Sequence, residues 1–181
     1  ILVWNVRGLN CRARRLGVDT TGASIVFLQE TKLSVVTPTL VMEVLGADFD
    51  DYFCLPATDT RGGILIPWDS RMIQLGSPHI TDNCVTGLVT PSQGPQWWLS
   101  CVYGSQEDVD KIAFLDELRD VRSTQSDPWV VCGDFNLIYQ EEDKSNSNLN
   151  RRMMGRFCRF LNDCELKEIY LHGRRYTWSN E

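Results

Sequence analysis

Short apolar runs, each closed by a polar residue or a glycine, recur along this chain, and helical spacing is confined to a few stretches. The runs Ile1–Trp4, Ser24–Gln29, Tyr52–Leu55, Gly63–Trp68, Arg71–Leu75, Cys84–Val89 and Gln96–Val102 have the length and the β-branched or aromatic content of strands. Another, Trp129–Cys132, follows Pro128, which cannot donate to a ladder but is tolerated at a strand's start. Arg174–Trp178 predicts one more strand. Apolar spacing predicts a weak helix over Pro38–Leu45, with Leu40, Val41, Val44 and Leu45 inward. It predicts a stronger one over Asp108–Arg122, where Ile112, Leu115 and Leu118 share a face. A third helix starts near Asn150, with Met153, Phe157, Phe160, Leu161 and Cys164 as its stripe. Between residues 11 and 18 only a short helix fits, and Gly62-Gly63 and Trp68–Arg71 mark tight connections. No repeat, linker or low-complexity block interrupts the pattern.

A length of 181 residues suits one domain over residues 1–181, and 43% hydrophobic and 10% aromatic residues are ordinary for a globular chain. No apolar run approaches the length that spans a bilayer, and no signal peptide precedes Ile1, so the expectation is an intracellular protein that is not secreted. The chain starts in mid-strand and stops without a closing turn, as an excised piece incomplete at its C-terminus would. The seven cysteines are odd in number and lack a Cys-x-x-Cys pair, which predicts free core thiols in place of a zinc site or a disulfide framework. A net charge of −6 argues against a protein that coats nucleic acid nonspecifically. The distribution is uneven: residues 148–175 hold seven Lys/Arg against three Asp/Glu, and residues 38–60 hold five acids and no base.

Candidate chemistry lies at the strand ends. Gly133-Asp134-Phe135-Asn136 closes a buried run, and strand alternation would send Asp134 and Asn136 to one side and Phe135 to the other. Alone, this reads as an Asx-rich turn. Three other strands also end in polar groups, at Asn5, at Glu30 and at Tyr103. Carboxylate, carboxamide and phenol converging on one rim would supply hard oxygen ligands for Mg²⁺ and donors for a phosphate.

Trp4-Asn5-Val6-Arg7-Gly8, Leu28-Gln29-Glu30-Thr31-Lys32, Val102-Tyr103-Gly104, Gly133-Asp134-Phe135-Asn136 and Tyr176-Thr177-Trp178-Ser179-Asn180 occur in this order. In these motifs the chain resembles the endonuclease/exonuclease/phosphatase (DNase I-like) superfamily, and above all the endonuclease domains of plant LINE-type non-LTR retrotransposons. The resemblance implies an α/β (α+β) fold, a four-layered α/β sandwich of two mixed β-sheets flanked by helices, with the closing C-terminal strands missing here. It implies Mg²⁺, or Mn²⁺ in its place, held by Glu30 with Asn5 beside it. Asp134 would orient or deprotonate water, Asn136 would hold that water or a phosphate oxygen, and Tyr103 would contact the scissile phosphate. Arg7, Thr177 and Trp178 would bind the substrate backbone. It further implies a monomer acting on DNA, in the nucleus, beside a reverse transcriptase domain in a parent polyprotein.

The sequence departs from the family in lacking the late Asp and the Ser-Asp-His strand end. Its histidines, His79 and His172, stand in no such motif and read as surface residues. Three readings follow: a Mg²⁺-dependent DNA-nicking endonuclease, a truncated and catalytically dead remnant of one, and a phosphomonoesterase of the same superfamily.

Overall fold

A computed structural model describes residues 1–10, 22–58, 62–143, 149–169 and 172. The short helix expected between residues 11 and 18 and the strand expected over Arg174–Trp178 lie outside them, as do Thr177 and Trp178. The apolar runs become β1 (Leu2–Asn5), β2 (Val26–Gln29), β3 (Asp51–Leu55), β4 (Ile64–Trp68), β5 (Ile73–Ile80), β6 (Cys84–Pro91), β7 (Trp97–Tyr103) and β8 (Trp129–Asp134). The helical stretches become α1 (Pro38–Leu45), α2 (Asp108–Ser123) and α3 (Arg151–Asp163), with a 3₁₀ turn at Glu141–Asp143.

The strands form two four-stranded mixed sheets, ordered β1-β2-β4-β3 and β5-β6-β7-β8. In the first, β1 and β2 are parallel and the other pairs antiparallel. The second has β7 and β8 parallel and the rest antiparallel. The sheets face one another through Phe27, Ile64, Ile66 and Trp68 on one side and Val85, Val89, Leu99 and Cys101 on the other. Alternation turns Val26 and Leu28 outward onto Val41, Val44 and Leu45 of α1. On the far side, Phe114, Leu115 and Leu118 of α2 and Phe157 and Phe160 of α3 cover the second sheet. Helices therefore lie outside both sheets, giving an α/β sandwich in four layers. Covered on both faces, β4 and the Val26–Leu28 part of β2 read as apolar runs without polar alternation.

Local chemistry sets the ends of the helices. Thr37 Oγ1 accepts from Leu40 N at 3.2 Å, and Pro38 takes the first turn of α1, where no amide is needed. Asn150 Oδ1 accepts from Met153 N at 3.1 Å and caps α3. Two expectations require correction. The buried face of α2 is Phe114, Leu115, Leu118 and Val121, so Ile112 falls off it and stays 37% exposed. Strand β5 also runs on through Pro78 to Ile80, which places His79 in a strand. An edge strand with a register shift between Gly76 and His79 tolerates that proline. The six described cysteines are free, and burial pushes the Cys84 thiol up to about 12, so it acts as a small apolar side chain.

Glu117 fastens α2 to the turn between β5 and β6. Its carboxylate accepts from the Thr81 hydroxyl, from Asn83 N at 2.9 Å and from Asn83 Nδ2 at 2.7 Å. Glu117→Ala leaves these part-buried donors without an acceptor and should lower stability by about 1–3 kcal/mol, read as a reduced denaturation midpoint with an unchanged slope.

Candidate active site at one rim of the sandwich

Parallel pairing delivers two strand ends to the same place. Asn5 lies opposite Gln29 across β1 and β2, and Tyr103 lies opposite Asp134 across β7 and β8. Gln29 joins the two pairs. It is 2% exposed, its carbonyl accepts from Val6 N at 3.1 Å, and its Oε1 accepts from Asp134 N at 3.1 Å. Asp134 turns its own carbonyl the other way, to Gly104 N at 2.8 Å. The buried glutamine thus satisfies an amide on the outer side of β8, and it does so from the opposing sheet.

Glu30 follows directly at φ 54°, a left-handed conformation that few side chains adopt. Six described non-glycine residues have positive φ, and four of them, Arg7, Glu30, Lys32 and Asn136, stand at these strand ends. Backbone bonds hold the Glu30 segment from two sides. Leu9 N donates to Thr31 O at 2.8 Å, Lys32 N to Gly62 O at 2.7 Å, and Thr31 N to Gly63 O at 3.3 Å. A Cβ on Gly62 would lie 3.0 Å from Glu30 Cγ and 3.1 Å from Tyr103 Cε1, so the loop glycine lets carboxylate and phenol approach.

The turn after β8 corrects the expected alternation. The strand stops at Asp134, and Asn136 is at φ 50°. Phe135 does anchor in apolar packing, between Phe114 at 6.1 Å and Phe157 at 5.1 Å. Asn136 N donates to Asp134 Oδ1 at 2.9 Å, and Asn136 Nδ2 donates to Gly104 O at 2.7 Å. The carboxamide therefore locks the ends of β7 and β8 together through its NH₂ group. Gly133, at φ 129°, precedes this turn, and a Cβ there would overlap the Val102 carbonyl. On the first sheet, Asn5 Oδ1 accepts from Arg7 N at 3.1 Å and turns the loop after β1.

The model of the Endonuclease/Exonuclease/phosphatase family matches residues 2–181. The chain belongs to that family. Among solved structures, the endonuclease domain of TRAS1, a telomere-specific non-LTR retrotransposon, is 14% identical with a TM-score of 0.65, over 90% of this chain and 70% of its own. The AP endonuclease LMAP from Leishmania major is 15% identical with a TM-score of 0.60, over 90% of this chain and 65% of its own. TDP2 from D. rerio, complexed with a single-strand DNA product, is 22% identical with a TM-score of 0.52, over 75% of this chain and 60% of its own. These likenesses are to the fold, and the chain spans about three fifths of the TDP2 chain. No curated protein matches.

In this member of the family the rim is electrostatically negative around Tyr103. Burial, then the Glu30 carboxylate, then that of Asp134 push the phenol above its usual range, so it stays protonated and able to donate. Lys32 Nζ approaches Glu30 Oε1 at 3.4 Å. Among the described residues no three His, Cys, Asp or Glu gather in a metal-binding group. One or two carboxylates with an amide oxygen suit Mg²⁺ or Mn²⁺, which retain water and share ligands with a phosphate. His79 lies on β5, two strands from β7, and His172 is exposed. Gln29 and Gly62 were not among the expected site residues. Gln29 ends an apolar run and looks like its polar stop, and nothing in a one-dimensional pattern shows that its amide crosses to the other sheet.

Two measurements test this geometry without turnover. In metal-free protein, the phenolate absorbance assigned by subtracting a Tyr103→Phe variant should appear above the usual tyrosine range and move back down in Glu30→Gln. The folded chain holds this proton more tightly than the unfolded one, so stability falls as pH rises from the usual phenol range to the shifted one. Gln29→Leu orphans the Asp134 amide and should cost about 1–3 kcal/mol in a denaturant melt. An unchanged midpoint would show that the cross-sheet bond contributes nothing.

Proposed function

We propose that this rim hydrolyses phosphodiester bonds in DNA, with Mg²⁺ or Mn²⁺, as a nicking endonuclease of retrotransposon type. The observation that carries the reading is the Gln29–Asp134 bond, which brings Glu30 from one sheet to Tyr103 and Asp134 from the other. Glu30 and Asn5 would hold the divalent ion, whose chemistry is Lewis-acid neutralisation of charge developing on the phosphate oxygens. Asp134, with one oxygen fixed by Asn136 N, presents its other to an attacking water and accepts or orients its proton. Asn136 offers its amide oxygen to the same water. Tyr103 donates its retained proton to a phosphate oxygen, a role an ionised phenol could not fill. Arg7, on the loop after β1, together with Thr177 and Trp178, would contact the substrate backbone. Under this reading the chain acts as a monomer, beside a reverse transcriptase domain of a longer polypeptide, in the nucleus. The likeness in fold to the TRAS1 endonuclease domain favours that type.

A second reading is a domain that keeps the rim but does not turn over. The positions of the histidines favour it, since neither His79 nor His172 stands at the strand ends that form the rim. Supercoiled-plasmid nicking separates the two. The endonuclease reading expects Mg²⁺-dependent relaxation that EDTA abolishes and that falls by on the order of 10²-fold or more in Glu30→Ala and in Asp134→Ala. A folded wild-type chain that leaves the plasmid intact, or nicking that survives both substitutions, rejects it. Release of phosphate from small monoesters without any nicking would assign the rim to phosphomonoesters.

A further inference from the structure

Helices α2 and α3 lie side by side over the second sheet, joined through Phe114, Leu115, Leu118, Phe157 and Phe160. Toward their N-terminal ends the seam opens into a groove of about 250 Å³. Val109 and Ile112 form its α2 wall, and Asn150, Arg152, Met153 and Arg156 line it from α3. Val109 is 77% exposed, so the apolar wall faces solvent. The one acid in the lining, Asp108, is already engaged by Lys111 Nζ at 2.9 Å and Asn150 Nδ2 at 2.6 Å.

Arg152, Arg156 and Arg159 follow at i, i+4 and i+7, so they form one row along α3. The next place in that row is Asp163, which meets Arg119 of α2 at 3.3 Å, and this sets the row along the seam. Neighbouring basic groups find partners: Arg119 also takes Asp116 at 2.8 Å, and Arg151, off the row, takes Glu141 at 2.9 Å. Arg152, Arg156 and Arg159 have no ion pair or side-chain hydrogen bond among the described residues; the other α2 residues lining the groove, Val109 and Ile112, are uncharged, and Asp108 is engaged by Lys111 and Asn150. A chain of net charge −6 thus holds a row of unpaired guanidinium groups on a folded helix. Arg152 and Arg156 stand about 6 Å apart along the axis, and Arg156 and Arg159 about 4.5 Å.

The groove is also close to the rim along the chain. Gly104, whose carbonyl is bound by Asn136, leads through Ser105–Glu107 directly into the first turn of α2. The N-terminal turn of α2, which carries Val109 and Ile112, therefore follows within a few residues of the end of β7.

We propose that the α2–α3 groove is a second seat for the DNA backbone, with phosphates flanking the scissile one resting on Arg152 and Arg156. Val109 and Ile112 provide the apolar wall against which a sugar and base edge pack. This rests on the reading of the rim as acting on DNA. Guanidinium groups without protein partners suit phosphate because their planar forks can pair with two oxygens and are less strongly hydrated than an ammonium. Because they carry no base-reading geometry, the groove would position the substrate without selecting its sequence.

Binding of a fluorescent duplex oligonucleotide, followed by anisotropy in EDTA over a series of salt concentrations, tests this without turnover. Wild type, Arg156→Gln, Arg152→Gln/Arg156→Gln and Lys167→Gln are compared, with thermal melts to confirm that all are folded. The double variant should bind on the order of tenfold more weakly at low salt and lose about two from the slope of log K against log salt, about one per arginine. Lys167→Gln, on the exposed segment after α3, should leave the slope unchanged. A double variant that binds like wild type, a Lys167 effect as large as that of Arg156→Gln, or no binding by wild type overturns the proposal. Absence of nicking with arginine-dependent binding would overturn the hydrolytic reading and leave the groove standing. Nicking with arginine-independent binding would do the reverse.

Discussion

The hydrogen bond from Asp134 N to Gln29 Oε1 fixes how the two sheets meet at the rim. Elsewhere the sheets touch through Phe27, Ile64, Ile66, Val85, Val89 and Leu99, and apolar contact is strong but weakly directional. Such a core tolerates small slips of one sheet over the other. A buried carboxamide facing an amide of β8 does not, because a displaced partner leaves both groups unsatisfied away from water. With that bond in place, Asn5 and Glu30 from the first sheet and Tyr103 and Asp134 from the second are held at one place. The electrostatic consequence is visible at Tyr103, whose phenol responds to carboxylates from both sheets.

The same region concentrates backbone strain. Left-handed conformations at Arg7, Glu30, Lys32 and Asn136 each cost on the order of 1 kcal/mol or more and persist only where the surroundings over-determine them. Those surroundings are particular bonds: Leu9 and the Gly62-Gly63 loop on either side of Thr31, and the paired Asp134 and Gly104 contacts of Asn136. Glycine at 62 and 133 removes the Cβ atoms that would block these approaches. Stability drawn from two apolar layers therefore holds a small set of polar side chains in conformations that those side chains would not adopt alone.

Much of this was legible in the sequence, and the limits have physical causes. Each strand announced its own end, so Asn5, Glu30, Tyr103 and Asp134 stood out wherever an apolar run met a polar residue. The helices α1 and α3 matched their spacing because one face of each is buried. In α2 the buried arc is shifted toward Phe114 and Val121, and a reading by repeat alone admitted Ile112, which the neighbouring helix leaves uncovered. Strand alternation does not extend past Asp134, and the Asx-rich turn that Gly133, Asp134 and Asn136 also signal is the reading that holds. The left-handed turn at Asn136 is set by its bonds to Gly104 and Asp134, 32 residues away in one case and two in the other. The apolar run stops at Leu75, but β5 continues to Ile80, its edge position and register shift accommodating Pro78. Gln29 remained hidden for the most basic reason: its partner lies 105 residues on and in another sheet.

Charge adds the last constraint. A net −6 opposes the approach of any polyanion at long range, yet at physiological ionic strength charges beyond about 8 Å are largely screened. What a phosphate backbone meets at contact is therefore local. At the rim it meets Glu30 and Asp134, which repel it until a divalent cation intervenes. Along the α2–α3 seam it meets guanidinium groups that no acid of the described chain neutralises. Under the proposed function, such an arrangement would let the backbone bind without the metal while leaving the reacting phosphate dependent on it. On that proposal, positioning and chemistry would rest on different residues, Arg152 and Arg156 for the first and Glu30 with Asp134 for the second, and the two could be weakened separately.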